Sequence, residues 1–498
     1  MKSSPIAVID LGSNTARVVV FRIEPEGTFQ VLADDKVPLR LIRQIDRHRR
    51  LSPAATDATL RVLADFRQIA LGAGAGRIIT VATAALREAV NGPEFLKQVR
   101  RRVGLSLRLL PPESEARCAF LGAVYGVAVE HGLVLDIGGG SIQLGHFRDR
   151  RLLATWSLPL GALRMSDRFL KSDPPGRQGL RRLQAFATKA LIRSEIPELR
   201  EDEFLVGTGG TIRSLSKIDT RLRGYPISRL HGYILTSRRI AILGGLLAGL
   251  RRAERAAVPG LSVARADSIA GGSLLAGSVM EQVGAGRMLV AGLGLREGLI
   301  LEALGADLPA PREVRQSAVA ALVSRFACWD ERRAKRRKAI QETLCDALLP
   351  PGSDLARELL MHASMVLDVG RSVDYYRRHE HAAMILRSSG LHGFGHREIL
   401  YLSLILDLGE DLDWRGRDYR PLLRNGDLAE IARSAVLLSL ADEIEHRILP
   451  RRLPRLICRV SGRTVTLSEA SLASWDPGVL GVSFARVFGK RLKISPGS

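Results

Sequence analysis

Two aspartates in the sequence end apolar, β-branched runs, and a glycine-rich turn follows each of them. Asp10 ends the run that starts at Ala7, and Asp136 ends the run that starts at Leu133. Such a turn lets backbone N–H groups converge on an anion, because glycine reaches the required φ values and carries no Cβ. The candidate phosphate ligands in the two turns are Gly12, Ser13, Asn14, Thr15, Gly138, Gly139, Gly140 and Ser141. The pattern predicts a phosphate site built from both turns.

A third glycine-rich turn follows the apolar run at residues 204–206 and adds Gly209 and Thr211 as candidate phosphate ligands. A helical pattern starts directly afterwards, at Ile212. One turn of this kind is usually only a turn. Three of them, each led by an apolar strand, favour phosphate binding.

The two aspartates are candidate magnesium ligands, since Mg²⁺ prefers a few carboxylates together with phosphate oxygens and water. An aspartate in this position can also cap its own turn. The repeated placement favours the metal role, more strongly for Asp136 than for Asp10.

The segments around the first two turns indicate paired strands. Residues 7–10 and 17–21 flank the first turn, and residues 133–136 and 144–147 flank the second, which is typical of hairpins. Strand-like runs then alternate with helical patterns up to residue 306, so the fold class of this part is α/β. The repetition predicts two related halves with a cleft between them.

The changes of pattern predict four segments. The two α/β subdomains are residues 1–130 and 131–306, and residues 307–449 have mostly helical apolar spacing. Residues 450–498 form a small α/β module. Its expected strands are residues 456–460, 465–467 and 482–484.

The composition favours a polyanionic partner. Lys and Arg number 74 against 52 Asp and Glu, which gives a net charge of +22 and a sequence pI near 10.7. Such a chain attracts polyanions over long range and releases their counterions on binding. Nucleic acid, inorganic polyphosphate and anionic membranes all fit this charge.

The distribution of basic and aromatic residues narrows the choice. Aromatic residues make up 5% of the chain and do not interleave with the basic clusters, so base stacking is poorly supported and no specific nucleic acid is expected. Polyphosphate is favoured instead. The basic clusters, which could guide a long polyanion or could be solvated surface, are residues 47–50, 100–102, 332–338 and 451–455.

The cysteines and the hydropathy pattern indicate a cytoplasmic protein with no membrane association. The four cysteines are far apart and form no CxxC pair, which is typical of reduced, mostly buried thiols. No secretory signal is visible. The longest apolar run, residues 240–250, is too short to span a bilayer and is predicted to be a buried helix.

Taken together, the motifs resemble the exopolyphosphatase / guanosine pentaphosphate phosphohydrolase family, within the actin and sugar-kinase superfamily. They occur in family order over residues 5–300. The resemblance implies a duplicated, ribonuclease H-like actin fold and hydrolysis of a terminal phosphate with Mg²⁺. The stretches that carry it are residues 9–15, 82–89, 113–117, 136–141, 207–211 and 294–298.

The resemblance also implies roles for two further residues. Glu115 matches the general base that activates the attacking water, and Arg87 matches a phosphate-contacting arginine. A carboxylate beside a polyanion resists ionisation unless metal and arginine offset the repulsion. Without the other motifs, Arg87 would be taken for a helix-surface residue and Glu115 for a residue favoured by a helix dipole.

Two positions depart from the family pattern. Gln143 stands where the family usually has glutamate, which removes one negative charge although an amide can still coordinate metal or orient water. Pro111 and Pro112 stand where the family usually has a small Ser-Gly turn. The candidate metal ligands are therefore Asp10, Asp136 and Gln143.

The helical segment resembles the HD-type domain of long family members, in which a His-Asp pair and further histidines hold a metal. Here the pair position reads Leu367-Asp368, His379 and His381 remain, and a third expected histidine is replaced within residues 404–407. Leucine binds no metal, so no second active site is expected. The segment is expected to bind polyanion and to contribute to a homodimer.

The sequence thus favours a processive exopolyphosphatase that acts on inorganic polyphosphate. A guanosine pentaphosphate 5′-phosphohydrolase would use the same site. A weakly catalytic polyanion-binding protein and a sugar-kinase-like user of ATP are the alternatives from other classes.

Overall fold

A computed structural model of the chain describes residues 4–45, 48–409 and 417–495. Arg47, from the first basic cluster, lies outside the described residues. The chain divides into two compact units, Met1–Val314 and Arg315–Ser498.

The first sheet of the first unit contains the Asp10 turn. Its described strands have the order β3-β2-β1-β4-β5. They are β1 Ile6–Leu11, β2 Ala16–Ile23, β3 Phe29–Val37, β4 Arg77–Ala82 and β5 Leu107–Leu109. β1 pairs antiparallel with β2 and parallel with β4, which confirms the first predicted hairpin. The helices of this part are α1 Pro53–Gly72, α2 Ala84–Glu88, α3 Gly92–Val103 and α4 Pro112–Tyr125, with a 3₁₀ turn at Leu41–Arg43.

The second sheet repeats this arrangement around the Asp136 turn. Its described strands have the order β10-β11-β9-β6-β7-β8. They are β6 Gly132–Ile137, β7 Ile142–Arg148, β8 Arg151–Leu158, β9 Phe204–Thr208, β10 Ile234–Thr236 and β11 Arg287–Val290. β6 pairs antiparallel with β7 and parallel with β9, as β1 does with β2 and β4. The second hairpin and the internal repeat are therefore confirmed.

The helices of the second half follow its strands. They are α5 Ala162–Phe169, α6 Arg177–Arg193, α7 Gly209–Leu222, α8 Ser237–Gly249, α9 Arg252–Ala256, α10 Ile269–Gln282 and α11 Leu295–Leu304, with a 3₁₀ turn at Val263–Arg265. Helix α7 starts at the glycine turn itself, three residues before the helical pattern begins in the sequence.

The central strands are buried on both faces, which is why their sequences are continuously apolar. Ala7, Val8 and Ile9 in β1 have no exposed area, and Leu133 and Leu135 in β6 have none. Strands packed in this way hold the turns at their ends rigidly. The two aspartate turns are therefore fixed by the cores on either side of them.

Glycines bring α4 and α11 into close contact. A Cβ on Gly122 would lie 1.9 Å from the carbonyl oxygen of Gly294, and a Cβ on Gly298 would lie 1.8 Å from that of Cys118. Because no side chain fits at either position, the two helices pack backbone against backbone. This contact holds the second half of α4 against the start of α11.

The apolar run at residues 240–250 lies in α8 and is only half buried. Ile240, Leu243 and Leu247 are buried, whereas Ile242 and Leu246 are exposed. The predicted helix is confirmed, but it is an amphipathic surface helix and not a buried one. Throughout the described ranges, no helix combines the length and the apolar character needed to cross a membrane.

The second unit is mostly helical, as predicted. Its helices are α12 Pro311–Val323, whose first residues belong to the first unit, α13 Glu331–Leu348, α14 Asp354–Val366, α15 Arg378–Ser388, α16 His396–Asp407 and α17 Asp427–Glu445. A three-stranded sheet follows, with the order β12-β13-β14 among the described residues. Its elements are β12 Ile457–Ser461, β13 Thr464–Ser468, α18 Gly478–Phe488 and β14 Arg491–Ser495. Short 3₁₀ turns lie at Leu367–Ser372, Arg417–Leu422 and Ala470–Leu472.

The prediction of a strand at residues 482–484 was wrong, because this segment lies inside α18. Short apolar runs do not distinguish a strand from a helix by their pattern alone. Here Phe484 stacks on Phe488 one helical turn later, with ring centroids 4.6 Å apart. Gly489, at φ 64°, ends the helix in the left-handed conformation.

Candidate active site

A cleft of about 850 Å³ lies in the first unit, where strands β1 and β6 end. Its lining includes both aspartate turns, the start of α7, the start of α11 and the segment at residues 260–265. The carboxylates of Asp10, Asp136 and Glu115 all face this space.

The two aspartate turns have the same internal geometry and contact each other. The Gly12 N–H donates to the Thr15 carbonyl at 3.1 Å, and the Gly138 N–H donates to the Ser141 carbonyl at 3.0 Å. A Cβ on Gly140 would lie 2.4 Å from the hydroxyl oxygen of Ser13. The turns can approach this closely only because glycine leaves room, so both present backbone N–H groups to one volume.

The start of α7 forms the third side of the phosphate site. Gly209 has φ +81°, and a Cβ there would lie 1.9 Å from Asp136 Oδ1. Gly210 is packed in the same way against the guanidinium of Arg265. The helix N-terminus therefore faces the cleft with free N–H groups, which favours an anion there.

Thr211 differs from the other predicted phosphate ligands. It is buried, and its methyl group lies against Gly272 of α10, where an added Cβ would be 2.5 Å from it. Thr211 is not among the residues that line the cleft, whereas Thr208 and Ser214 are. The structure thus brings all the other predicted phosphate ligands together and places Thr211 in the core.

The two aspartates are partly buried carboxylates with arginines on one side of them. Burial raises the pKa of Asp10, although Arg296 at 3.5 Å opposes the shift. Burial also raises the pKa of Asp136, opposed by Arg213, Arg296 and Arg265. Asp10 Oδ1 is buried and accepts no hydrogen bond within the described residues. An oxygen in this state is suited to a cation.

The carboxylates of Asp10 and Asp136 suit a Mg²⁺ ion that takes few of its ligands from the protein. The described residues contain no group of three or more His, Cys, Asp and Glu suited to a metal. Mg²⁺ commonly keeps several waters and uses one or two carboxylates together with substrate phosphates. Asp10 and Asp136 match that donor set.

Gln143 lies opposite Asp136 in the β6–β7 pair and is buried. Its amide nitrogen donates to the Ser141 hydroxyl at 2.7 Å. With the nitrogen engaged by the second turn, the amide oxygen is the group left to coordinate metal or water.

Glu115 lies in the first turn of α4, buried at the edge of the cleft. Burial raises its pKa to about 7, while Arg87 opposes the shift. An Arg87 Nη1 hydrogen bond to Glu115 Oε2 measures 3.1 Å, and the same nitrogen donates to the Leu110 carbonyl at 2.6 Å. A carboxylate with a pKa near neutrality can take a proton from water at physiological pH.

Arg87 and the two prolines all lie close to Glu115. Arg87 donates a hydrogen bond to Glu115 but is not itself among the residues that line the cleft. Pro112 is the first residue of α4, where a missing N–H costs nothing, and the Glu115 N–H donates to the Pro111 carbonyl at 2.9 Å. The Pro-Pro departure therefore leaves Glu115 in a regular first turn facing the cleft.

The cationic wall of the cleft was not predicted from the sequence. Its members are Arg17, Lys36, Arg213, Lys217, Arg221, Arg265 and Arg296. None of the described residues of the four predicted basic clusters lines the cleft. Arg102 instead pairs with Asp57 at 2.9 Å, and Arg337 pairs with Asp368 at 2.6 Å. The spacing of four between Arg213, Lys217 and Arg221 could have indicated one helical face.

Asp368 and His379, from the segment expected to resemble an HD-type domain, are buried. Asp368 pairs with Arg337, and His379 Nδ1 lies 3.2 Å from the Leu406 carbonyl oxygen. Burial lowers the pKa of His379 to about 4. His381 lies on the same helix, α15.

The duplicated sheets and the shared anion cleft define a phosphate-processing hydrolase with an actin-like fold. The chain belongs to the Ppx/GppA phosphatase family, whose sequence profile matches residues 19–306. Both the family and the fold predicted from the motifs are thereby confirmed.

Individual relatives agree with this assignment. The chain is 29% identical over 321 residues to exopolyphosphatase 1 of Mycobacterium tuberculosis, which covers 63% of this chain and 92% of the relative. The crystal structure of the Ppx/GppA family member from Aquifex aeolicus is 28% identical, with a TM-score of 0.54, and covers 60% of this chain and 97% of that one. An exopolyphosphatase from Cytophaga hutchinsonii has the same fold at 24% identity and a TM-score of 0.55, covering 61% and 99%.

Proposed function

We propose that this chain is an exopolyphosphatase that removes the terminal phosphate of inorganic polyphosphate. The observation that carries the proposal is Glu115, a buried carboxylate with a pKa of about 7 at the edge of a cationic cleft with two phosphate turns. The exopolyphosphatases among its relatives support the choice of substrate.

In the proposed reaction, the backbone N–H groups of the Asp10 and Asp136 turns bind the oxygens of the terminal phosphate. Glu115 accepts a proton from a water, whose oxygen attacks the terminal phosphorus. The bond from this phosphorus to the bridging oxygen breaks, and the shortened chain leaves on that oxygen. Positioning and charge stabilisation supply most of the rate enhancement in reactions of this type.

Asp10 and Asp136, with the amide oxygen of Gln143, are the residues that would hold Mg²⁺. When bound, the ion would neutralise charge on the phosphate oxygens. Arg87 keeps part of the charge of Glu115 compensated, so that the carboxylate stays available as a base near neutral pH.

The cleft lining favours polyphosphate over guanosine pentaphosphate as the substrate. None of the described residues that line it is Phe, Tyr, Trp or His, so no ring is there to stack on a guanine. Repeated cations suit a leaving group that is itself a chain of phosphates. Processive release, one phosphate after another, follows if the chain stays bound along these cations.

The test is a competition assay with the purified full chain in MgCl₂, without ATP. Long-chain polyphosphate and guanosine pentaphosphate are offered at equal concentrations of terminal phosphate, and the loss of each is followed. We expect a higher kcat/KM for polyphosphate and no phosphate release after EDTA. Faster turnover of the nucleotide would assign the phosphohydrolase activity, and no release from either substrate would leave only a binding role.

A further inference from the structure

Helix α7 presents a row of cations to the cleft, starting from the phosphate site. Gly209 and Gly210 begin the helix at that site, and Arg213, Lys217 and Arg221 follow at intervals of four residues. Residues four apart lie on one helical face, about 6 Å apart along the axis. The row therefore leads away from the site where the terminal phosphate binds.

The first member of the row belongs to the phosphate site. Burial lowers the pKa of Arg213 to about 10, and Arg296 and Asp136 are its strongest charged neighbours. Lys217 and Arg221 are different, because both are exposed within the cleft. From Gly209 they lie about 12 Å and about 18 Å further along the helix axis.

Lys217 and Arg221 differ in their surroundings from the paired cations nearby. Within the described ranges, neither side chain has a carboxylate at ion-pairing distance. The same helix does pair a cation elsewhere, since Arg223 lies 3.8 Å from Asp219. Arg239 of α8 also pairs with Asp219, at 2.6 Å. The two uncompensated charges thus face the space into which the leaving chain extends.

We infer that Lys217 and Arg221 bind phosphate units behind the terminal one and set a preference for long polyphosphate chains. This inference rests on the proposed exopolyphosphatase function. A tripolyphosphate has two phosphates behind the terminal one and engages only the near end of the row. A long chain continues past Lys217 to Arg221, and each phosphate contact releases counterions.

The test compares substrates of different length in the double variant Lys217→Ala/Arg221→Ala. We expect the KM for long-chain polyphosphate to rise about tenfold, against a rise of about twofold or less for tripolyphosphate. The dependence of log KM on log salt should become shallower for the long chain only. A purely structural effect of the substitutions would not change that slope.

The matched control is Arg181→Ala/Lys189→Ala, which also removes one arginine and one lysine, but from α6. Both residues are exposed and neither lines the active-site cleft. This variant should behave as the wild type does. Equal KM changes for both substrates, or changes no larger than in the control, would overturn the inference. Failure of the proposed function is distinguishable, since the wild type itself would then not hydrolyse polyphosphate.

Discussion

The chemistry at Glu115 depends on two opposing effects at one carboxylate. Burial raises its pKa to about 7, and Arg87 opposes this shift through its charge and through a hydrogen bond that it donates. Without burial the carboxylate would be a weak base. Without Arg87 it would stay protonated beside a polyanion.

Replacement of Glu115 by glutamine tests its role as the base. The amide keeps the shape of the side chain but cannot accept the proton, so we expect kcat for polyphosphate to fall by about 10²- to 10⁴-fold. KM should change little. Glu113→Gln is the control, because Glu113 lies exposed in the same helical turn. A kcat in the Glu115 variant close to that of the control would remove Glu115 as the base.

The pH profile tests the contact between Arg87 and Glu115. Since Glu115 must be ionised to act, kcat/KM should rise with pH through an apparent pKa of about 7. Arg87 lowers this pKa, so Arg87→Met should shift the acid limb to higher pH in the residual activity. Arg87→Lys keeps the charge and should leave the limb near its wild-type position. An unmoved limb in Arg87→Met would mean that Arg87 does not act through Glu115.

Among the elements, the segment at residues 38–45 joins the two halves of the first unit. Arg40 has a left-handed backbone, with φ 52°, and its N–H donates to the Asn14 carbonyl at 2.8 Å. The Arg43 guanidinium pairs with Asp167 at 2.5 Å and with Asp267 at 2.7 Å. The segment therefore connects the first phosphate turn to elements of the second half.

Loss of this connection should affect activity more than stability. Arg43→Ala is expected to lower kcat/KM about fivefold, because the turns of the two halves are then less firmly held together. The free energy of unfolding should fall by no more than about 1 kcal/mol, since the pair with Asp167 is partly exposed and Asp267 keeps Arg40 at 3.2 Å. Steady-state kinetics and urea unfolding give both values. Arg102→Ala, which breaks the surface pair with Asp57, is the control, and an equal effect on kcat/KM would contradict the role of the segment.

Local features of this chain could be predicted from the sequence, and long-range ones could not. The two aspartate turns were predicted because each lies between strands that are adjacent in the chain. The pairs of Arg43 join residues 124 and 224 positions apart, so no spacing rule indicates them. The burial of Thr211 depends on α10, which follows much later in the sequence. Contacts between segments that are distant in the sequence decide these ion pairs and this burial, and a local pattern does not record such contacts.

For the whole molecule, the net charge of +22 gives an incomplete description of how the chain binds anions. Many arginines neutralise carboxylates inside the fold, as in the cluster at residues 332–338. In that cluster Arg333 pairs with Glu445 at 2.8 Å, and Arg337 has no exposed area. The cations that line the cleft are fewer and lie elsewhere. Binding of a polyanion therefore depends on where the basic residues lie, and not on how many the chain contains.

Arg337 is a fully buried arginine in the core of the second unit. Its guanidinium lies 2.6 Å from Asp368 and 2.9 Å from Asp442, and it donates to the Ser364 carbonyl at 2.8 Å. Burial alone would raise the pKa of Asp442, but Arg337 and Arg378 hold it below its usual value. Arg337 and Arg378 therefore keep Asp442 ionised in the core, and Arg337 also contacts the buried Asp368.

Arg337→Met keeps an unbranched apolar stem in place of the arginine stem and removes the charge. Asp368 and Asp442 then lose the buried cation that both contact, while Arg378 stays 2.6 Å from Asp442, so we expect the free energy of unfolding to fall by about 3 kcal/mol. Urea unfolding followed by tryptophan fluorescence measures the loss, and Trp329, which packs against the core of the same unit, contributes to that signal. Arg371→Met removes a more exposed arginine 3.8 Å from Asp368 and should cost less than about 1 kcal/mol. Equal losses in the two variants would show that the core of the second unit does not depend on the charge of Arg337.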